Sequence, residues 1–155
     1  MSDILHVRAE EIPPKHKDKH DGYAYVRRDL VPRSCTGNTL VSQYEIPPMK
    51  SAYPYHFHHK DEETFYILKG EGLLRTPKGE QIVRTGDVLF FPAGPEGAHK
   101  LTNISSTETL VYMDFDVIHD LDVAEYPDSG KIGVWGKGIN KLYQREEDVG
   151  YYKGE

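Results

Sequence analysis

The chain has 155 residues, of which 37% are hydrophobic and 28% are charged, and these values predict one globular domain with a charge-rich surface. Acidic residues outnumber basic ones by 25 to 19, and the resulting net charge of −6 argues against a nucleic-acid-binding protein. No run of about 18 apolar residues occurs, so we expect no membrane-spanning segment and no membrane partner.

The N-terminal sequence and the cysteine content predict a cytoplasmic protein. MSDILHVRAEE has neither a basic start nor an apolar stretch, so we expect no secretory signal. Cys35 is the single cysteine and therefore has no partner for an internal disulfide, which is typical of proteins in a reducing compartment.

The first part of the chain differs in composition from the rest. Residues 1–22 include IPPKHKDKHDG, which is charged and contains two prolines. Such a segment has little apolar surface to bury, so we predict an extended or mobile N-terminal arm. The remainder, residues 23–155, contains no linker-like segment and no internal repeat, which predicts a single domain.

Glycines and prolines divide the centre of the chain into short runs that are rich in Val, Ile, Tyr, Phe and Thr, the composition of β-strands. TPKGE, residues 76–80, predicts a tight hairpin turn between two of them. Many short strands predict an all-β sandwich or small barrel. For residues 117–126 we predict a turn or two of helix. The predicted strands are residues 23–30, 38–46, 63–69, 71–76, 80–85, 87–91 and 108–115.

Histidines and a carboxylate stand close together in HFHHKDEETFYILKG, residues 56–70. Side chains two residues apart share a face on a strand but point in nearly opposite directions on a helix. Pro54 and the aromatic and β-branched residues that follow favour a strand, so His56 and His58 are predicted to share one face. With Glu63 they supply two nitrogens and one oxygen, a partial shell for a metal ion.

A second segment, GDVLFFPAGPEGAHKLTN at residues 86–103, predicts a strand, a turn, and then His99 at the start of another strand. If the two segments are neighbours in a barrel, His99 can complete a four-ligand site with His56, His58 and Glu63. A metal with three imidazole ligands and one carboxylate keeps open positions for water or substrate, which is typical of a working rather than a structural site.

These two segments resemble the two sequence motifs of the cupin superfamily. The sequence departs from the pattern twice: the first glycine is replaced by Lys50 or Ser51, and four residues rather than two separate Gly94 from His99. Neither departure removes a ligand. EYPDSGKIGVWG, residues 125–136, and the tyrosine-rich end also resemble a subgroup of small single-domain bacterial cupins. The matching motif residues are His56, His58, Glu63 and Gly70 in the first segment, and Gly86, Pro92, Gly94, His99 and Asn103 in the second.

The resemblance implies an all-β fold, the double-stranded β-helix or jelly-roll barrel, and commonly a homodimer. It also implies that His56, His58, Glu63 and His99 bind a divalent transition metal. The donor types allow Mn, Fe, Co, Ni, Cu or Zn and do not choose among them.

Strand alternation names further candidates for the interior. Tyr44 alternates with Ile46, so its ring is predicted to point inward, where its hydroxyl can donate to a ligand. Arg75 either faces inward and binds a carboxylate or phosphate, or faces solvent. His59 alternates with His58 and is predicted at the rim of the site. Tyr44, Arg75 and His59 are the catalytic candidates. The same alternation predicts a mostly apolar inner wall that includes Phe65, Ile67, Leu101 and Asn103.

Two classes of function remain open. One is a metal-dependent enzyme for a small polar or anionic metabolite, with sugar-phosphate isomerase-like, decarboxylase- or lyase-like, and iron-dependent dioxygenase chemistry as the alternatives. The other is a metal-containing barrel that binds or senses a small molecule without turnover. Acid–base groups beside the metal favour an enzyme, whereas a wholly apolar pocket favours binding or oxygen chemistry.

Overall fold

The computed structural model describes residues 4–35 and 37–155. Within these residues the chain forms thirteen β-strands and three short 3-10 helices, and no α-helix is present. The described residues accordingly contain no helix long and apolar enough to cross a membrane. The 3-10 helices are Ala9–Glu11, Arg33–Cys35 and Pro95–Gly97.

The largest sheet has six strands in the order β1-β2-β3-β10-β5-β8, and all neighbouring strands are antiparallel. Strands that are distant in the sequence lie side by side, since β10 pairs with both β3 and β5. In chain order, the six strands are β1 (Lys15–His20), β2 (Tyr23–Val31), β3 (Thr39–Ile46), β5 (Glu62–Lys69), β8 (Val88–Phe91) and β10 (Leu110–Val117).

Two smaller antiparallel sheets complete the double-stranded β-helix that the resemblance implies. One has the order β13-β12-β11-β4, and the other has the order β7-β6-β9. The strands are β4 (Phe57–His58), β6 (Glu71–Thr76), β7 (Gly79–Arg84), β9 (Lys100–Asn103), β11 (Leu121–Tyr126), β12 (Lys131–Gly136) and β13 (Ile139–Gln144).

Side-chain alternation along the strands builds the core. In β5, Phe65 and Ile67 are buried while Tyr66 and Leu68 are exposed, as the two-residue period of a strand requires. The predicted inner wall is confirmed, because Phe65, Ile67, Leu101 and Asn103 are all buried. Around it, the apolar core cluster comprises Tyr44, Ile46, Ala52, Phe65, Ile67, Leu74, Val83, Leu89, Phe91, Leu101, Leu110 and Tyr112.

The seven strands predicted between residues 23 and 115 are all present, with ends displaced by at most two residues. The prediction of helix in residues 117–126 is wrong. Residues 121–126 form β11, which pairs along its whole length with β12 and at two positions with β4. Asp122 and Ala124 are the buried side chains of this strand, so its period is two rather than 3.6.

The N-terminal segment that was predicted as an extended or mobile arm contains β1, an exposed strand that pairs with β2. The ammonium group of Lys15 and the carboxylate of Asp29 form an ion pair across this hairpin at 2.5 Å. At the other end, β12 and β13 form a hairpin in a region where the sequence predicted no strand. The two terminal hairpins thus extend the two main sheets.

Ile67 offers a test of the core. Its side chain is fully buried, so Ile67→Ala is expected to lower the free energy of unfolding by about 2–5 kcal/mol through lost apolar contact and the cavity left behind. Urea denaturation followed by circular dichroism measures this change. Val88→Ala is the matched control, because Val88 is 65% exposed and should change stability little. Equal losses of unfolding free energy in Ile67→Ala and Val88→Ala would contradict the assignment of Ile67 to the core.

Candidate metal centre

Backbone pairing brings the two histidine-bearing segments together. The amide N–H of His56 donates to the carbonyl oxygen of His99 at 3.2 Å, and the N–H of His99 donates back to His56 at 2.9 Å. The N–H of Gly94 donates to the carbonyl oxygen of His58 at 2.7 Å, which ties the turn before His99 to β4. Glu63 lies on β5, in the six-stranded sheet, whereas β4 belongs to the four-stranded sheet.

The four predicted ligands converge on one point, and we call His56, His58, Glu63 and His99 the candidate metal centre. The Nε2 atoms of His56 and His58 each lie 3.8 Å from Oε2 of Glu63, and Nε2 of His99 lies 3.2 Å from the same oxygen. All four side chains are shielded from solvent, with exposures of 18% or less. His56, His58 and Glu63 meet the geometry of a group that can hold a metal ion.

The other ring nitrogen of each histidine is held by an acceptor. Nδ1–H of His56 donates to the carbonyl oxygen of Pro54 at 2.8 Å, and Nδ1–H of His99 donates to that of Gly97 at 2.9 Å. Nδ1 of His58 lies 2.5 Å from Oδ2 of Asp122. Because these partners are acceptors, Nδ1 of each ring carries a proton, and Nε2 of each ring is left to face Glu63.

Two atoms at this point are buried without a hydrogen-bond partner: Oε2 of Glu63 and Nε2 of His99. The two atoms lie 3.2 Å apart, and a cation bound between them would give both of them a partner. Three imidazole nitrogens and one carboxylate oxygen are also the donor types that divalent transition metals prefer. The side chains therefore fit such an ion.

Burial and charge shape the protonation of the centre. Burial lowers the pKa of His56 to about 4, so this imidazole is neutral near pH 7. Burial also disfavours charge on His58, but the hydrogen bond to Asp122 and the charges of Glu63 and Asp122 outweigh it and raise the pKa of His58 to about 9. Despite its burial, Glu63 has a pKa well below its usual range because of the three histidines, first of all His99. The carboxylate is thus available as a metal ligand, and a metal ion must displace a proton from His58.

Two further carboxyl groups adjoin Glu63 on the neighbouring strand. In the β10–β5 register Asp116 is opposite Glu63 and Asp114 is opposite Phe65. Glu63, Asp114 and Asp116 each place one oxygen within 4.8 Å of the others. Burial, together with the charge of Glu63, raises the pKa of Asp116 to about 7 and that of Asp114 well above its usual value. The site therefore contains acid–base groups beside the candidate metal ligands.

Comparison with known proteins identifies the domain type. A family model described as a cupin domain matches residues 42–116, the segment that holds all four residues of the candidate metal centre. This chain contains a cupin domain. An uncharacterized protein of Methanocaldococcus jannaschii is 36% identical over 81 residues, which are 52% of this chain. The matched segment spans 63% of that relative's length.

Solved structures match the cupin domain together with its terminal hairpins. A protein of Acidithiobacillus ferrooxidans, provisionally described as a sugar phosphate isomerase, is 27% identical with a TM-score of 0.80, over 94% of this chain and 95% of that one. A cupin-superfamily sugar phosphate isomerase of Silicibacter pomeroyi has a TM-score of 0.81 at 16% identity, over 92% of this chain and 94% of that one. At this identity, the second match shows a shared fold.

Two of the catalytic candidates, Tyr44 and His59, lie in different environments. Tyr44 points inward, as predicted, and its hydroxyl lies 2.8 Å from that of Tyr53 and 3.4 Å from Nη1 of Arg27. His59 lies on the outer face of the barrel, where Nε2 is 2.8 Å from a carboxylate oxygen of Glu125. Tyr44 thus belongs to an interior polar network, whereas His59 is a surface residue.

Arg75, the third candidate, does not face the interior. Its guanidinium forms two hydrogen bonds with the carboxylate of Asp128, at 2.6 and 2.9 Å, and lies 4.0 Å from the centroid of the Tyr55 ring. Alternation along β6 explains this, because Leu74 occupies the inward position and Arg75 therefore points out. The inward alternative for Arg75 is wrong.

Sequence reasoning missed three aspartates that lie beside the candidate metal centre: Asp114, Asp116 and Asp122. A signal for the first two was present, because LVYMDFDV was predicted as a strand and alternation places both aspartates on the face of buried Tyr112. Asp122 had no such signal, since its segment was predicted as helix. Asp122 accepts from His58 and also, at 2.8 and 3.3 Å, from the backbone N–H groups of Lys60 and Asp61.

Asp122→Asn is expected to weaken metal binding by about 10–100-fold, the usual effect of losing a partner that orients a ligating histidine. The asparagine amide has one oxygen to accept hydrogen bonds, and its NH₂ group must point either at Nδ1–H of His58 or at the two backbone N–H groups. In either orientation, a donor that the carboxylate satisfied loses its acceptor. Competition with a chromogenic chelator measures the metal affinity. Asp128→Asn is the control, because Asp128 pairs with Arg75 at the surface. Unchanged affinity in Asp122→Asn would contradict the orienting role.

Proposed function

We propose that this cupin domain is a metal-dependent enzyme for a small anionic metabolite, and that isomerisation of a sugar phosphate is the reaction its site supports best. The observation that carries the proposal is the convergence of three imidazole nitrogens on one carboxylate, with two more carboxyl groups within 4.8 Å of that carboxylate. An inert barrel has no need to bury so many titratable groups around one point, because each must be desolvated.

His56, His58, Glu63 and His99 would hold the ion. When bound, a divalent metal supplies Lewis-acid polarisation of a substrate carbonyl or hydroxyl oxygen. The Nδ1–H contacts of the histidines keep their Nε2 atoms directed inward, so the chain itself maintains the binding geometry before any ion arrives.

Asp116 is the proposed acid–base group. Aldose–ketose isomerisation removes a proton from the carbon next to the carbonyl and returns it to the former carbonyl carbon, while a hydroxyl proton passes to the former carbonyl oxygen. The reaction therefore needs a base that becomes the acid and no external oxidant or reductant. Asp116 is directly opposite Glu63 on β10 and borders a cavity of about 160 Å³.

A relative supports this choice among the possible reactions. The Acidithiobacillus ferrooxidans protein, provisionally described as a sugar phosphate isomerase, resembles this chain along nearly the whole length of both, at an identity above that of a purely structural match. The inward carboxyl groups agree with proton-transfer chemistry. They also argue against the wholly apolar pocket that would favour a binding barrel or oxygen chemistry.

The test is proton exchange in heavy water. Protein purified without a metal-affinity tag is loaded separately with Mn, Fe, Co, Ni, Cu or Zn and incubated with aldose and ketose phosphates. NMR then measures the interconversion of the two sugars and the incorporation of deuterium at the carbon next to the carbonyl. We expect metal-dependent interconversion with label incorporation. No exchange with any loaded metal would overturn the isomerase proposal. Release of CO₂ from an organic acid would indicate a decarboxylase, and saturable binding without turnover would indicate a sensing barrel.

A further inference from the structure

A pocket of about 490 Å³ lies between the N-terminal hairpin β1–β2 and the C-terminal strands β11–β13. Its walls come from the two ends of the chain and from residues 52–54, and they include part of EYPDSGKIGVWG, residues 125–136, to which the sequence analysis assigned no function. We call it the hairpin pocket, and the lining residues used below are Lys17, Tyr25, Tyr53, Tyr126, Lys131 and Trp135.

The hairpin pocket shares a wall with the candidate metal centre. The ring of Tyr126 stacks on the imidazole of His56, with centroids 5.7 Å apart and planes at 21°. The ring of Tyr53 lies 6.3 Å from the same imidazole, and Pro54, which also lines the pocket, accepts the hydrogen bond from Nδ1–H of His56. A molecule in the pocket is therefore in the immediate neighbourhood of a proposed metal ligand.

Aromatic rings form much of the pocket wall. Tyr25 and Tyr53 contact each other with ring centroids 5.2 Å apart. On the opposite side, Trp135 folds back over Gly133, since a Cβ at Gly133 would lie only 2.7 Å from the indole ring. Flat, rigid aromatic walls bind the C–H-rich body of a small ligand by contact area, and a few polar groups then fix its orientation.

Two lysines supply the polar groups. The ammonium nitrogen of Lys17 lies 6.0 Å from the centroid of Tyr25, and that of Lys131 lies 5.3 Å from the centroid of Tyr126. Among the described residues neither lysine has an ion-pair partner, although the chain carries a net charge of −6. The carboxylate of Asp21 also borders the pocket, but it is fully exposed and lies 3.9 Å from the ammonium of Lys50.

We propose that the hairpin pocket binds a sugar phosphate, with Lys17 and Lys131 on the phosphate and with Trp135 and the tyrosines against the sugar. This assignment rests on the proposed function, since it supplies a binding site for the part of the substrate that does not react. Lysine recognises phosphate as a point charge, and two such charges above aromatic walls match an anion attached to a carbon-rich body. A neutral sugar lacks the first feature, and inorganic phosphate lacks the second.

Trp135 makes the pocket directly observable. It is the only tryptophan in the chain, so intrinsic tryptophan fluorescence reports on this pocket alone and needs no turnover. The protein, with and without loaded metal, is titrated with glucose 6-phosphate, glucose and inorganic phosphate. We expect a saturable fluorescence change with glucose 6-phosphate, at least about tenfold weaker binding of the other two ligands, and weakening of phosphate-dependent binding by salt.

The variants are Lys17→Ala, Lys131→Ala and the double variant. All replace side chains that border solvent, and we expect the double variant to raise the Kd for glucose 6-phosphate by at least about tenfold. Where turnover is measurable, KM should rise with little change in kcat, because the phosphate contact is made equally in ground and transition states. Lys141→Ala is the matched control: Lys141 is an exposed lysine on β13, next to Leu142, which lines the pocket.

The outcomes separate this assignment from the proposed function. An unchanged Kd in the double variant, or glucose bound as tightly as glucose 6-phosphate, overturns the pocket assignment even if isomerisation is found. Phosphate-dependent binding that needs both lysines, without exchange in heavy water, supports the pocket and overturns the isomerase. Absence of both binding and exchange overturns both.

Discussion

His99→Ala is expected to abolish stoichiometric metal binding. Nε2 of His99 is the nitrogen closest to the Glu63 carboxylate, at 3.2 Å, and both atoms are buried without another partner. Removing the imidazole deletes one of the four proposed donors itself. The metal affinity should therefore fall by more than the roughly 10–100-fold that loss of an outer hydrogen-bond partner causes. Elemental analysis of tag-free protein, followed by metal titration, measures the loss.

His59→Ala is the matched control for this experiment. His59 belongs to the same histidine-rich segment but contacts Glu125 at the surface. It should retain full metal content, and a circular dichroism spectrum of each variant excludes unfolding as the cause of metal loss. Equal metal content in His99→Ala and the native protein would refute the four-ligand centre. Metal loss in His59→Ala as well would indicate surface binding instead.

Asp116→Asn is expected to lower kcat by about 10²–10⁴-fold while leaving metal content unchanged, the usual range for removal of a general acid–base group. The amide keeps the size of the carboxyl group but cannot take up a proton. Because Asp116 is opposite Glu63, the substitution also removes a like charge, so the fold should not be weakened. The assay is deuterium exchange at the carbon next to the carbonyl, run beside elemental analysis.

Asp120→Asn provides the comparison for Asp116→Asn, since Asp120 is exposed in the short connection between β10 and β11. It should exchange label at the native rate. Full activity of Asp116→Asn would exclude Asp116 as the base and would leave Asp114 as the candidate base. Loss of metal together with activity would show that Asp116 supports the metal centre rather than the proton transfer.

The sequence was sufficient for the features that depend on local geometry. The two-residue period of a strand places His56 and His58 on one face, and it likewise gives Tyr44 and Ile46 a common face, whatever the rest of the chain does. Glu63, which the resemblance assigned as a ligand, is the residue whose carboxylate meets the histidines.

The same local reasoning failed where the deciding contact lies far along the chain. Residues 121–126 were predicted as helix because nothing nearby indicates their pairing with β12 and β4. Arg75 has two possible faces in an isolated hairpin, and only the packing of Leu74 into the core and the pairing with Asp128 decide between them.

The sequence by itself thus determined the central strands between residues 23 and 115, the cupin motifs and the identity of the four candidate ligands. The tertiary structure decided which groups surround them: Asp122 is 64 residues from His58, and Asp116 is 53 residues from Glu63. It also formed the hairpin pocket from the two ends of the chain. The physical reason is that strand alternation is fixed by the backbone of a few residues, whereas sheet order depends on which distant strands bury their apolar faces together.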